Sequence, residues 1–330
     1  MQYTKLGATG LSVSRVCLGT MTFGLQTDED SSGRILGAAA DAGVTFLDTA
    51  DVYPLGGDLS TVGRTEEILG RALRGQRERW IVATKAVGKT GPAAWQQGAS
   101  RKHLLDAIDA SLRRLQTDYV DLYQLHSDDA ATPLDETLEA LDTIVRSGKA
   151  RYVGVSNFLA YRLALALGRS ELKGLARVVS VQPRYALLFR EIERELLPLA
   201  REQNIAVIPY NPLAGGLLSG KHRFETGPTQ GTRFTLGSAA TRYQDRYWNE
   251  GAFATVEALR ATAAEADLPL PTLAVAWVLA HPAITSAIIG ASRPEQLSET
   301  LRAADVRLPQ ALKSTLDALT LDYRRGDALR

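Results

Sequence analysis

The chain has 330 residues, with 38 Lys plus Arg against 37 Asp plus Glu, a formal net charge of +1. That balance gives no expectation of a nucleic acid or anionic membrane partner, and no run of about 18 apolar residues offers a membrane span. The single cysteine, Cys17, excludes an intrachain disulfide and fits a reducing compartment, so a cytoplasmic location is expected.

The opening "MQYTKLGATGLSV" has no apolar core of signal-peptide length. Its "GATG" turn predicts a hairpin from "YTKL" to "SVSR" that seals one end of the fold. Short apolar, β-branched runs then recur, each ending on a small or polar residue. They are "SRVCLG" to Gly19, "VTFLD" to Asp48, "WIVATK" to Lys85 and "YVDLYQLH" to His126. "ARYVGVSN" to Asn157, "RVVSVQ" to Gln182, "IAVIPY" to Tyr210 and "SAIIG" to Gly290 follow. Cys17, in the first run, reads as a small core residue. Helical periodicity fills the gaps, with one apolar face at Leu104, Leu105, Ile108, Leu112 and Leu115 and another at Leu134, Leu138, Leu141 and Val145. "TPLDE" predicts a helix start with Thr132 as cap and Pro133 in the first turn. The basic pair Arg324–Arg325 lies beside Asp322 and Asp327 and reads as a solvated end.

Eight strand-then-helix units predict one (β/α)8 TIM barrel domain over residues 1–330, with extra helices and loops toward the carboxyl end. A doubly wound sheet is the runner-up, but no G-x-G-x-x-G follows the first strand. Two long irregular stretches, 86–100 and 219–250, follow strands and are expected over the barrel mouth, as functional loops.

The stretch "FLDTADVY" places Asp48, Asp51 and Tyr53 at the end of an apolar run. It is either a polar turn or a set of ionisable groups aimed at a site. Asp48, Lys85 and His126 each end a different, adjacent strand, and Tyr53 lies on the loop just above, so a barrel brings the four to one rim. Such a group suits carbonyl reduction. A phenol has an ordinary pKa of about 10, and a neighbouring ammonium lowers it. Lys85 is expected to do so, with Asp48 holding Lys85 charged. Tyr53 then donates a proton and His126 polarises the carbonyl. No side chain donates hydride, which implies a nicotinamide. No metal is expected.

Glycine-rich "NPLAGGLLSGK" (211–221) and "SRPE" (292–295) offer a backbone cradle and a helix start for phosphate, with Arg293 adding charge. In one reading Ser292 forms only a capping box with Glu295.

The segments "GLSVSRVCLGTMTFG", "GVTFLDTADVY", "RTEEILGRAL", "IVATK", "SLRRLQTDYVDLYQLH", "KARYVGVSNF", "VQPRY", "IPYNPLAGGLLSGK" and "IIGASRPEQLSETL" cover nearly the whole chain. In this order they resemble the aldo-keto reductases, to which the β-subunits of potassium channels are also similar. The resemblance implies Tyr53 as general acid with Asp48, Lys85 and His126, and NADPH as cofactor. It places Ser156, Asn157 and Gln182 at the nicotinamide carboxamide, with Tyr210 stacked on the ring. Ser292, Arg293 and Gln296 fall on the 2′-phosphate positions. Gly19, Asn211, Leu213, Gly215, Leu217, Lys221, Gly290 and Glu299 complete the implied cofactor set. Thr300 stands at the adenine position, where the family often has asparagine.

Phe23, Trp95, Phe224, Phe234 and Trp248 lie on the mouth segments. Aromatics this dense either pin a loop or line a pocket, and together they predict a largely apolar site for an aldehyde or ketone. The insert "PLGGDLSTVG" after Tyr53 departs from the family's shorter spacing. A cofactor-binding redox sensor with little turnover is the alternative function. A Schiff-base role for Lys85 is disfavoured, because Asp48 keeps that amine protonated. The sequence sets no expectation for the oligomeric state.

Overall fold

The computed structural model describes residues 1–324, so Arg325 and Asp327 of the expected solvated end lie outside the described residues. A hairpin of β1 (Tyr3–Lys5) and β2 (Ser12–Ser14) precedes β3 (Val16–Gly19). Then come α1 (Glu29–Asp41), β4 (Phe46–Asp48), α2 (Arg64–Ala72), β5 (Ile81–Ala86), α3 (Arg101–Leu115), β6 (Val120–Leu125) and α4 (Leu134–Arg146). The alternation continues with β7 (Ala150–Ser156), α5 (Ala160–Lys173), β8 (Val178–Gln182), α6 (Leu196–Glu202) and β9 (Ala206–Val207). Before the last strand stand α7 (Ala240–Tyr247), α8 (Glu250–Glu265) and α9 (Leu270–Leu279), and after β10 (Ala287–Gly290) come α10 (Leu297–Arg302) and α11 (Gln310–Leu319). No described helix is long and apolar enough to cross a membrane.

The eight strands from β3 to β10 pair in parallel, in the order β10-β3-β4-β5-β6-β7-β8-β9. The ring closes where Thr285 N donates to Val207 O and Ile288 N to Pro209 O, both at 2.9 Å. This is a (β/α)8 barrel. Both faces of each strand are covered, which is why the strands read as nearly unbroken apolar runs. One core layer lies between sheet and helices. A smaller one fills the barrel's amino-terminal end, where Leu6 and Val13 of the hairpin meet Cys17, Phe46, Ala83, Leu122 and Ile288. Gly7 makes that plug possible. Its φ is +55°, and a Cβ there would lie 2.7 Å from Asn204 O.

Several local expectations are corrected. Pro133, not Thr132, caps α4, and the Thr132 hydroxyl donates instead to Asp129 Oδ2 at 2.6 Å. The buried face of α4 centres on Leu138, Leu141 and Ile144, with Leu134 and Val145 only partly covered. The run toward Tyr210 stops as a regular strand at Val207, because Pro209 has no N–H to give; Tyr210 rejoins through a bridge to Arg184. The stretch 219–250 is not irregular throughout, since it contains α7. Residues 87–100 carry no helix or strand.

Candidate active site

Asp48 is the last residue of β4 and Lys85 the penultimate one of β5. His126 follows β6 directly, its N–H donating to Ala86 O at 2.8 Å. Tyr53 reaches back over this rim from the loop after β4. The fully buried Lys85 ammonium donates to Asp48 Oδ2 at 2.6 Å, Thr49 O at 2.7 Å and Tyr53 Oη at 3.5 Å. Three protons, three acceptors. Across the mouth the Tyr53 and His126 rings meet edge to face with centroids 5.7 Å apart. The four expected side chains therefore converge on one site.

Two amides finish the arrangement around Asp48. Its Oδ1 accepts from Gln182 Nε2 at 2.7 Å and from Gln124 Nε2 at 3.3 Å, while Gln182 Nε2 also approaches Gln124 Oε1 at 3.4 Å. Gln124 is fully buried and was not singled out in the sequence. Its signal was alternation, since in β6 it lies two residues before His126 and shares the inward face.

The electrostatics correct one expectation. Lys85 does pull the Tyr53 phenol down, but burial outweighs it, and the phenol's pKa is raised rather than lowered. Tyr53 accordingly keeps its phenol proton across the neutral range. For Lys85, burial opposes the charge, yet Asp48 and Tyr53 more than offset it and its pKa rises. His126 is held down to about 3, by burial first and then by the Lys85 and Arg242 charges. It is a neutral imidazole that can give one N–H to an oxygen. Asp51 points elsewhere. It is fully buried, neither oxygen has a well-formed hydrogen bond, and burial followed by Glu66 pushes its pKa well up. Glu66 itself is held by Arg114 at 2.7 Å and by the Thr84 hydroxyl.

The residues expected at the nicotinamide are linked. Ser156 Oγ donates to Gln182 O at 2.8 Å, Asn157 Nδ2 donates to Ser156 Oγ at 3.0 Å and to His126 O at 2.9 Å, and Tyr210 Oη donates to Asn157 Oδ1 at 2.9 Å. With the Gln182 nitrogen spent on Asp48 and Gln124, its Oε1 is left as an acceptor, and a carboxamide NH2 is the group that fits it. At 211–221 the chain makes a tight turn with positive φ at Asn211, Ala214, Gly215 and Gly216, and Asn211 Oδ1 accepts from Gly215 N at 2.6 Å. A Cβ on Gly215 would lie 2.7 Å from the Tyr243 ring. Leu217 is buried and Leu213 partly so. Gly19 and Gly290 pair across β3 and β10, and a Cβ on Gly290 would stand 3.5 Å from Arg233 Nη2. Arg233 is another residue the sequence did not reveal, brought there by the 219–250 segment. Lys221 is lowered by burial and then by the Arg293 charge, so two cations stand close together. Among the described residues neither makes an ion pair. Paired cations over a glycine turn fit a dinucleotide's phosphates.

Elsewhere the expectations shift. Ser292 does not form a box with Glu295; its N–H and hydroxyl both turn to Gln296 Oε1, at 2.9 and 3.2 Å. Thr300 is buried with its hydroxyl on Leu297 O, and Glu299 is exposed. Phe23 and Phe234 are sealed in the core at 0% exposure, so neither ring presents surface to the mouth. Trp95 is 59% exposed. Phe224 and Trp248 pack on Phe253 of α8, with centroids at 5.4 and 4.9 Å, and Phe234 lies 4.8 Å from Trp248. These aromatics pin the segment down.

Known proteins are similar to this chain along most of its length. A family model described as Aldo/keto reductase family matches residues 15–320. The chain is 39% identical to an uncharacterized oxidoreductase, YrpG, of Bacillus subtilis (strain 168), over 96% of this chain and 95% of that one. It is 36% identical to a probable voltage-gated potassium channel subunit beta of Arabidopsis thaliana, over 97% and 95%. It is also 33% identical to an aldo-keto reductase, YhdN, of Bacillus subtilis (strain 168), over 90% and 87%.

Proposed function

The chain belongs to the aldo/keto reductase family, and on that premise we propose that it is an NADPH-dependent oxidoreductase that reduces an aldehyde or ketone to the alcohol. The observation carrying this reading is the Lys85 ammonium, which divides its three protons among Asp48, Thr49 O and the Tyr53 hydroxyl. Asp48, fixed by two amides, keeps Lys85 charged and oriented. Lys85 in turn faces the phenol oxygen with positive charge, so a phenolate formed there is stabilised. A substrate carbonyl oxygen placed between Tyr53 and His126 receives one hydrogen bond from the neutral imidazole and the proton from the phenol.

A nicotinamide held there would supply the hydride. Ser156, Asn157 and Gln182 would hold its carboxamide, and Tyr210 its ring. Asn211, Gly215, Lys221 and Arg233 would lie along the phosphates. Arg293 with Lys221 suits an additional 2′-phosphate, which favours NADPH over NADH; a preference for NADH in kcat/KM would overturn that choice.

The test is a panel of aldehydes and ketones followed by loss of NADPH absorbance, with Tyr53→Phe beside the unaltered protein. Removing the phenol is expected to cut turnover by about 10²–10⁴-fold while leaving NADP+ affinity nearly unchanged. Full activity in Tyr53→Phe means another acid does the work. The relative named as a potassium channel subunit beta favours a second reading, a cofactor-binding sensor. Tight NADPH binding with no turnover of any carbonyl in the panel would establish it instead.

A further inference from the structure

Three cations stand without counter-ions beside the reacting end of the barrel. Arg184 follows β8 where the backbone bridges Tyr210, and its guanidinium centre lies 3.5 Å from the centroid of the Phe189 ring and 6.0 Å from that of Tyr247. Arg242 and Arg246 are one turn apart on α7 and so share a face of that helix. The neighbouring positions, Tyr243 and Tyr247, are buried and hold the helix down. Among the described residues, none of the three guanidinium groups makes an ion pair or hydrogen bond, although Asp245 lies on the same helix.

Their charges converge on the site. Tyr210, raised by burial, is pulled back by Arg246, Arg184 and Arg242, and Arg242 also acts on His126. Tyr210 joins His126 through Asn157. Arg184 bridges Tyr210 and lies 6.0 Å from the ring of Tyr247 on α7, so the three cations stand on the Tyr210 side of the mouth, beside the place for a carbonyl between Tyr53 and His126. An unpaired arginine cluster is matched by an anion, because guanidinium forks bind carboxylate or phosphate oxygens in pairs. On the reading above, the dinucleotide's phosphates would have cations of their own in Lys221, Arg233 and Arg293.

We propose that the substrate is an anionic carbonyl compound, an aldehyde or ketone bearing a carboxylate or a phosphate ester, whose charge is held by Arg184, Arg242 and Arg246. This rests on the carbonyl-reduction reading and names its substrate class. It also replaces the largely apolar pocket expected from the loop aromatics, of which Phe224, Phe234 and Trp248 are occupied in pinning their own segment.

The experiment compares kcat/KM for matched pairs at low salt: benzaldehyde with 4-carboxybenzaldehyde, and glyceraldehyde with glyceraldehyde 3-phosphate. The anionic member is expected to be favoured about tenfold or more in at least one pair, and the larger ratio identifies carboxylate or phosphate as the recognised group. In the triple variant R184M/R242M/R246M, and partly in R242M alone, that ratio is expected to collapse toward one. The ratio is measured within one enzyme, so a loss of folded protein does not mimic the effect. A ratio near or below one in the unaltered protein overturns the inference while leaving carbonyl reduction standing. So does a ratio that survives in both variants. Loss of NADP+ affinity in R242M with the ratio intact also overturns it, by assigning the cation to the cofactor. No turnover of either member of any pair overthrows both readings.

Discussion

At Asp48, which ends β4, and Asp51, three residues on in the following loop, the same side chain meets opposite fates. Asp48 has an ammonium at 2.6 Å and two amide donors, so its charge is solvated by protein. Asp51 has no comparable donor, and burial followed by the Glu66 charge pushes its carboxyl toward the neutral form. A raised carboxyl pKa has a definite sign in stability. Between the unfolded value near 3.9 and the higher folded value, the folded state binds more protons, so stability falls as pH rises through that window. Asp51→Asn removes this titration. Its unfolding free energy is expected to match that of the unaltered protein near pH 4 and to exceed it increasingly at higher pH, by up to about 1.4 kcal/mol for each pH unit of the window. A constant difference across pH, read by calorimetry, would show that Asp51 is charged in the fold. Both carboxylates were visible in "FLDTADVY", and the converging strand ends separated Asp48 from its neighbour in role. What the string could not convey was which donors reach each oxygen. Gln124 and Gln182 come from strands far along the chain, and whether the Tyr53 phenol rises or falls turns on burial against Lys85, a contest of magnitudes that only geometry settles.

The 219–250 segment shows where element-level reasoning ran short. Its aromatics were conspicuous, but their partners were not: Phe253 belongs to α8, and His222 stands where the turn leaves the glycine cradle. The result is a cluster with Phe234 at its centre, 4.8 Å from Trp248, 5.1 Å from His222 and 6.5 Å from Tyr243. The helix α7 was missed because its apolar face amounts to Tyr243 and Tyr247, too short a pattern to stand out. Arg233, one residue before Phe234, is carried over Gly290 by this packing. Phe234→Ala is therefore expected to act on the segment rather than on a substrate contact. It should cost about 3–5 kcal/mol, the usual penalty for emptying a buried aromatic site. Hydrogen exchange should accelerate across 222–248, and NADP+ affinity should weaken as Arg233 loses its footing. Unchanged exchange with a raised KM for the carbonyl alone would restore Phe234 to the pocket.

For the molecule as a whole, the eightfold count of strands and the hairpin plug could be read from the sequence, because each strand carries its own apolar run. The pairing of β10 with β3 could not, since it joins residues some 270 positions apart. Arg15, just before β3, is the staple. Its guanidinium donates to the carbonyls of Leu279 and Ile284, while its own carbonyl accepts from Ala287 N at 3.0 Å. Burial lowers its pKa, yet the group has carbonyl oxygens rather than a carboxylate to face. This seam lies where β3 and β10 begin, at the end of the barrel away from Tyr53. Arg15→Met keeps the apolar stem and strands those carbonyls without a donor. The expected loss is about 1–3 kcal/mol, seen as a lower urea midpoint at unchanged slope. Turnover per folded molecule should stay the same, because the tetrad is held by β4, β5 and β6 and not by the seam. A fall in kcat at temperatures where the variant remains fully folded would mean that closure tension reaches the mouth, and that the two ends of the barrel are not mechanically independent.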